Sequence, residues 1–410
     1  MISVNEADKI IFTNVKPFPS TTVALDNALG RVLRENVKAD RDQPPFDKSL
    51  LDGIAINSAS WQNGIRQFQI SGIQPAGQKP LMVKGENSCV EIMTGAVVPR
   101  GLDAVVPVER ILVENKIATL QADWQVRPYD NIRRQASENK KRETLISEGA
   151  RLGPQHIGIL AAVGKSQVKV TSLPAIAIIS TGDELVDIAG RIPFYQTRIS
   201  NSYALKAILQ QAGLGGSTMF HIKDDVKKLR TQLARLLKKF DVLILSGGVS
   251  MGKFDYVPQV LNELNVKVLF HKVRQKPGKP FWFGKTKTGK PVFALPGNPV
   301  STQICAYRYV LPYLRRASGL PEGLTELAVL SEDFEVKTDL TYFLPVRFDS
   351  NSEGKVWAIP TVIGGSGDFA ALAKSDGFVE LPAGCCPPGR SQAGQRRFPR
   401  GSLVRLFTWR

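Results

Sequence analysis

Three short runs decide what the second half of this chain can be. Residues 175–180, 241–245 and 292–295 are largely apolar, too short for helices, and each meets a glycine within two residues: Gly182, Gly247-Gly248 and Gly297. A strand buried on both faces reads as a continuous apolar run rather than an alternation. Helix-length segments separate them. One spans 203–212, opened by Asn201-Ser202 and ended by Gly213; others span 225–239 and 256–264. A longer one runs from 300 to about 317, after Pro296-Gly297-Asn298-Pro299. With a further strand at 267–270, this alternation predicts a doubly wound α/β domain over 174–320.

The rest of the chain is patterned differently. Ser3 and Glu6 form a capping-box pair, and the first 35 residues read as two helices. The second, at 26–36, sets Ala28, Leu29, Val32 and Leu33 on one face. Short β-like runs at 68–73, 88–93, 104–107 and 117–120 predict a small antiparallel unit over 41–126. Residues 130–150 are polar and charged and read as a connector rather than a core. After Gly319, runs at 328–330, 343–348, 356–359, 377–381 and 403–407 predict an all-β domain over 321–410.

Composition removes several classes of function. With 43% apolar and 22% charged residues among 410, the chain reads as folded and multidomain. It has no apolar stretch of about 18 residues and no signal-peptide layout, so no membrane role is expected. Cys89, Cys305, Cys385 and Cys386 match neither metal-ligand nor disulfide spacing, which predicts a reduced, cytoplasmic protein. The net charge of +17 raises nucleic acid as a partner. That charge is spread out, without aromatic interleaving or a nucleic-acid module, and six arginines fall within residues 385–410. The expectation is therefore no nucleic acid; attraction to phosphorylated small substrates accounts for the charge equally well.

In an open parallel sheet, ligands bind outside the carboxyl ends of the strands. Three loops fall there: Ser180-Thr181-Gly182, Ser246-Gly247-Gly248 with Ser250, and Pro296-Gly297-Asn298. Glycine admits close backbone approach, and N–H groups near a helix start hold phosphate. One such loop is weak evidence, but three on one edge predict an anion site. Asp183, Glu184, Asp224 and Asp255 share that edge. Asp224 and Asp255 precede helices and read equally as N-caps, and Glu184 as a turn residue. Together with the glycine loops, the acids favour Mg2+, which takes carboxylate and phosphate oxygens together. The segment His271 to Pro280 is basic; Lys276 and Lys279 sit in a Pro-Gly turn suited to a fixed anion-binding loop or to a solvated one. His156, His221 and His271 are too scattered for a triad or metal cluster and receive no role.

The order of these motifs resembles the molybdopterin molybdenumtransferases, the MoeA family, to which the gephyrin C-terminal domain is related. Pro45-Phe46-Asp47-Lys48-Ser49-Leu50-Leu51-Asp52-Gly53 is similar to that family's first signature, and Glu91-Ile92-Met93-Thr94-Gly95-Ala96 to its second. Residues 180–185, 245–255, 276–280 and 295–301 resemble its pterin-binding motifs, and Gly365-Ser366-Gly367 a C-terminal one. The resemblance implies a molybdopterin-binding α/β domain over 174–320 and a small β domain over 41–126. It further implies a linker domain from 1–40 and 127–173, with N-terminal helices, and a β-barrel-like domain over 321–410. It implies transfer of molybdate to adenylylated molybdopterin with Mg2+, releasing AMP and the molybdenum cofactor. By the same resemblance, a homodimer shares each active site: Asp52 and Thr94 come from one subunit, and Glu184, Asp224, Asp255, Lys272, Lys276 and Ser366 from the other. Glu184, Asp224 and Asp255 are the implied metal ligands. Implied protein partners are the molybdopterin adenylyltransferase and acceptor molybdoenzymes.

Three positions depart from the family. Leu51-Asp52-Gly53-Ile54 lacks its aromatic, Ala136-Ser137-Glu138 stands where the family has Gly-Glu-Asp, and residues 385–397 do not match its C-terminal turn. Three rival readings stand beside the enzyme: a nucleotide amidohydrolase or pyrophosphatase on the same α/β domain, a non-enzymatic scaffold, and a phosphate-binding module without turnover.

Overall fold

A computed structural model describes residues 1–249, 255–321, 323, 325–352, 354–361, 364–384 and 396–409. The chain forms two compact units. One comprises residues 1–22, 30–34 and 169–410, the other 23–29 and 35–168.

The first unit contains the predicted α/β layer. Strands Ser217–Ile222, Ile176–Thr181, Val242–Ser246 and Pro291–Leu295 run parallel in that order, and Trp282–Lys285 and Lys267–His271 complete the sheet antiparallel. Successive strand residues point to opposite faces. Ile176, Ile178, Val242 and Ile244 accordingly pack beneath helices Asn201–Gln211 and 299–317, in a cluster that also takes Val4, Ala7 and Ile11 of the N-terminal helix Val4–Thr13. Ala177, Ile179, Leu243 and Leu245 pack on the other face, under Val226–Lys239 and Val257–Glu263. Helix Val226–Lys239 shows why these segments coil. Asp225 accepts the Lys228 N–H at 2.8 Å, Leu229, Leu233 and Leu236 form one buried stripe, and Lys238 and Lys239 lie in the last turn. Each of those leucines, fully buried, contributes about 2 kcal/mol.

The C-terminal strands close a ring within the same unit. Thr341–Ser350 pairs with Val356–Pro360, which pairs with Leu327–Leu330, then Leu403–Thr408, then Gly377–Leu381, and back to Thr341–Ser350. Closure leaves this five-stranded barrel without an edge to protect. A sixth, two-residue strand, Gln275–Lys276, joins it beside Thr341 and Tyr342.

The second unit carries a six-stranded sheet in the order Ala104–Pro107, Gly53–Ile56, Ser88–Ile92, Gln67–Gln74, Ile117–Leu120, Ile111–Glu114. Ile54 and Ile56 face one core cluster, and Ala55 the other.

Several expectations change. The helix read at 26–36 is absent: a 3-10 turn covers Leu25–Asn27, and Gly30 breaks the chain at φ 77°. Leu29 is exposed, while Leu33 bridges to Val170. A helical period was legible there, but a glycine in the left-handed region stops a helix. The sheet of the second unit is not wholly antiparallel, because Gln67–Gln74 and Ser88–Ile92 run parallel. Nor are residues 130–150 a bare connector. Ile132–Arg133 pairs with Lys48–Ser49 and Thr144–Ile146 with Val37–Lys38, burying Ile132 and Ile146. Strands at Ser217–Ile222, Trp282–Lys285, Gly53–Ile56 and Ile111–Glu114 were not read from the sequence. No helix among the described residues is long and apolar enough to cross a membrane.

Candidate functional site

The three glycine loops of the first unit do meet at one edge. Strand Ile176–Thr181 ends in buried Ser180 and Thr181, and Val242–Ser246 in buried Ser246. Pro291–Leu295 delivers Pro296, Gly297 and Asn298 to the start of helix Pro299–Cys305. These loops line a cleft of about 720 Å3, whose lining also includes the polar Glu184, Arg198 and Asn201 and the apolar Leu185, Ile192, Ile199 and Phe369. Gly247 and Gly248 both have positive φ, 99° and 65°. A Cβ on Gly247 would come within 2.7 Å of the Thr181 carbonyl oxygen, and one on Gly248 within 2.8 Å of Thr181 Oγ1. Only glycine lets the two loops approach this closely.

Hydroxyl and amide groups tie the loops together. Asn201 Nδ2 donates to Ser246 Oγ at 2.8 Å and to the Gly297 carbonyl at 2.7 Å. Ser180 and Ser202 share a hydrogen bond of 2.5 Å. Thr302 Oγ1 donates to the Pro296 carbonyl at 2.6 Å, and Asn298 Nδ2 to Ser366 Oγ at 2.7 Å, which places the predicted Ser366 in the same neighbourhood. Thr181 differs. Its hydroxyl is buried between the glycine loops and, among the described residues, hydrogen-bonds to no protein group. A buried hydroxyl without a partner is costly, and that cost falls away when a ligand oxygen reaches it.

The acids gather at the same edge. Burial raises the Asp224 carboxyl above the usual carboxylate range, and the charges of Glu184, Asp183 and Asp255 raise it further, in that order. The Asp224 N–H points at Asp183 Oδ1, 3.4 Å away. Neither Asp224 nor Asp255 is the N-cap of its helix: Asp225 caps Val226–Lys239, and Tyr256 occupies the N-cap position of Val257–Glu263. Among the described residues, no three His, Cys, Asp or Glu side chains form a closed metal-ligand group. Ser250 lies outside the described residues.

The basic segment is fixed rather than mobile. The Lys272 N–H donates to the Phe281 carbonyl and the Val273 N–H to the Lys279 carbonyl, both at 2.9 Å, and the Lys272 carbonyl accepts from the Ile2 N–H. Lys272 itself stands at φ 74°, a conformation that costs a non-glycine residue about 1–2 kcal/mol and persists only where its surroundings enforce it. Lys276 and Lys279 are exposed.

Asp52 and Thr94 lie in the second unit, and they do meet. The Thr94 hydroxyl and N–H both donate to Asp52 Oδ1 at 2.6 Å, which holds the Asp52 carboxyl below its usual range. In the same unit Glu138 pairs with Arg133 at 2.7 Å. Ala136 stands at φ 59°, where the family's glycine would rest unstrained.

Sequence reasoning missed two histidines. His221 Nε2 contacts the Gly182 carbonyl at 2.9 Å, and His271 Nε2 the Val249 carbonyl at 3.0 Å. Each braces a loop at the sheet edge. Their positions at strand ends were the available signal; a search for triads and metal clusters passes over a histidine that supports a loop from outside. Asn201, read only as a helix opener, proves to be the side chain that links two loops.

Similarity to known proteins covers the chain end to end. Residues 2–164 match the MoeA N-terminal region (domain I and II), 177–316 a probable molybdopterin binding domain, and 328–396 the MoeA C-terminal region (domain IV). A molybdopterin molybdenumtransferase of Synechocystis is 37% identical over 100% of both chains. One of Staphylococcus aureus strain Mu50 is 32% identical, covering 93% of this chain and 92% of its own. The crystal structure of a molybdopterin biosynthesis MoeA protein from Pyrococcus horikoshii superposes with a TM-score of 0.84 at 28% identity, covering 100% of this chain and 99% of the other.

Proposed function

The chain belongs to the MoeA family of molybdopterin molybdenumtransferases, and on that premise we propose that it transfers molybdate to adenylylated molybdopterin with Mg2+, releasing AMP and the molybdenum cofactor. The observation that carries this reading is the Thr181 hydroxyl, buried and without a partner among the described residues, between glycine loops that line a cleft of about 720 Å3. An anionic substrate oxygen is the group that would satisfy it. Backbone N–H groups around Gly247, Gly248 and Gly297 bind phosphate oxygens alongside it, and Ser180, Ser246 and Asn298 set its orientation. The half-buried Lys272 and the exposed Lys276 and Lys279 supply positive charge against the same anion.

By their chemistry the carboxylates suit a hard cation, although among the described residues they do not stand as a ready-made ligand group and would have to close on the ion together with substrate oxygens. Carboxylates that raise one another's proton affinity, as Asp183, Glu184 and Asp255 raise that of Asp224, are relieved by a divalent ion that also takes substrate oxygens. Glu184, Asp224 and Asp255 would hold it, with phosphate and molybdate oxygens as the remaining ligands. When bound, Mg2+ supplies charge neutralisation between the anionic substrates and these carboxylates.

Asp52, kept ionised by Thr94, is the acid the second unit offers. In this reading a second copy of the chain brings Asp52 and Thr94 to the substrate, and the working form is a homodimer. We place the reaction in the cytoplasm, with the molybdopterin adenylyltransferase supplying the substrate and molybdoenzymes accepting the product.

The test is direct. Purified protein receives adenylylated molybdopterin, Mg2+ and molybdate, and AMP and cofactor are measured together. Both should appear with turnover. Binding without AMP release refutes the enzyme and leaves a phosphate-binding module in its place.

A further inference from the structure

The lysine segment is braced from beneath by a buried polar group that the function has not yet used. Gln275, between the strained Lys272 and the exposed Lys276, has no solvent exposure. Its side-chain amide turns inward. Nε2 faces the Pro277 and Gly278 carbonyls at 3.3 Å each and Cys305 Sγ at 3.4 Å. Oε1 accepts the Tyr309 hydroxyl at 2.5 Å. The amide thus spans the turn that separates Lys276 from Lys279. Tyr309 is also fully buried and stacks on Phe281, which closes the segment, with ring centroids 4.9 Å apart.

The helix geometry that delivers Tyr309 is itself unusual. Within 299–317, residues Ala306–Val310 form a single π turn. Such a turn inserts one residue into the helical register and rotates the side chains that follow. Here it accompanies two polar anchors in succession: Arg308 binds Asp8 through both terminal nitrogens at 2.7 Å and Glu380 at 3.0 Å, and Tyr309 reaches Gln275. Burial pushes the Cys305 thiol up to about 12, so it meets the amide as a neutral thiol. Gly278 completes the fit. At φ 95° its missing Cβ would stand 2.5 Å from Gln275 Nε2 and 2.7 Å from Cys305 Sγ.

A buried amide with its donor and acceptor sides both engaged fixes the backbone it touches. Among the described residues, no side chain ion-pairs with Lys276 or Lys279, so nothing at the ammonium ends sets their direction. We propose that Gln275 and Tyr309 are positioning residues for substrate binding, holding the 276–279 turn so that Lys276 and Lys279 present a preset pair of charges to the phosphates of the adenylylated substrate. The inference rests on the proposed function above and adds to it the side chains that give the lysines their geometry. Tyr309→Phe keeps the ring stack on Phe281 and removes only the hydroxyl, leaving Gln275 Oε1 buried without its donor.

The test is a double-mutant cycle on KM and kcat for adenylylated molybdopterin, using Tyr309→Phe, Lys276→Met and the double variant of the full chain. Binding common to ground and transition states raises KM without changing kcat. Lys276→Met should raise KM about tenfold, as loss of one charge-assisted contact does, and Tyr309→Phe about threefold to fivefold, with kcat within about twofold of wild type in each. In the Lys276→Met background, Tyr309→Phe should add only about twofold, less than in wild type, because Lys279 alone is left for it to position. Multiplying effects on KM would overturn the inference while leaving the lysine as a substrate contact. An unchanged KM in Lys276→Met would overturn the inference through its premise. A Tyr309→Phe variant that loses thermal stability yet keeps wild-type KM would make the tyrosine a packing residue only.

Discussion

Replacing Gly247 by alanine tests whether the glycine loop at Ser246 touches substrate. Two costs can be worked out. Alanine at φ 99° leaves its allowed region, at about 1–2 kcal/mol. Its Cβ would also stand 2.7 Å from the Thr181 carbonyl oxygen, so one of the two loops must give way by about half an ångström. A displacement of about 1 Å in a binding group costs about 100-fold, so half that distance predicts roughly a tenfold loss. Gly248→Ala is the internal comparison. Its φ of 65° lies within the left-handed region, and its Cβ meets side-chain atoms, Thr181 Oγ1 and Val257 Cγ2, both 2.8 Å away. Thr181 and Val257 are buried and β-branched, so neither turns aside freely, and the Thr181 hydroxyl is itself the proposed substrate contact; Gly248→Ala should therefore also weaken binding about tenfold. Titration calorimetry with adenylylated molybdopterin, paired with thermal unfolding, gives both quantities. Equal affinity in wild type and Gly247→Ala, with the variant folded, would show that the loop does not contact the ligand. Wild-type affinity in Gly248→Ala would show that the Thr181 hydroxyl does not contact the ligand.

Three further outcomes follow from particular residues. Ala136→Gly should stabilise the protein by about 1 kcal/mol, because alanine at φ 59° carries a strain that glycine lacks; chemical denaturation reads the midpoint, and a lower midpoint refutes the strain. Asp224 has a raised carboxyl, so the stability it contributes is full at pH below the ordinary carboxylate range and lost as pH rises through its elevated value. Asp224→Asn should therefore melt higher than wild type at pH 7.5 without ligand, with the gap narrowing toward about pH 4, and a gap that widens in acid contradicts the sign. Asp52→Asn and Asp255→Asn should each be inactive, whereas a mixture reassembled from unfolded subunits should recover roughly a quarter of wild-type AMP release, half the dimers being mixed with one intact site each. Mixed dimers without activity would refute the shared site.

The α/β sheet was legible because burial on both faces leaves an unbroken apolar run, and here each run is too short for a helix and ends near glycine. Strand Ser217–Ile222 escaped the same reading because Ser217, Thr218 and His221 interrupt it at the sheet's edge, where one side lacks a neighbouring strand. Gly53–Ile56 was hidden inside a motif read for its chemistry. The false helix at 26–36 arose from a real apolar spacing, which Gly30 overrides through one backbone torsion. At the site, loops and acids could be found from position alone. The bracing groups could not: His221 and His271 act on carbonyls, and Tyr309 on the Gln275 amide, distant in sequence, and no local pattern announces such a partner.

The first unit is discontinuous: residues 1–22 and 30–34 belong with a fold whose main part begins at residue 169. The Ile2 N–H reaches the Lys272 carbonyl, and the Arg274 N–H returns to Ile2. On a ribosome adding about 5–20 residues per second, the opening helix waits roughly 14–54 seconds for the segment it will clasp. Throughout that interval Val4, Ala7 and Ile11 have no sheet to cover them, while residues 35–168 emerge complete enough to fold. The nascent chain therefore carries this apolar segment uncovered for most of its synthesis, too short to hold a helix by itself until the sheet arrives.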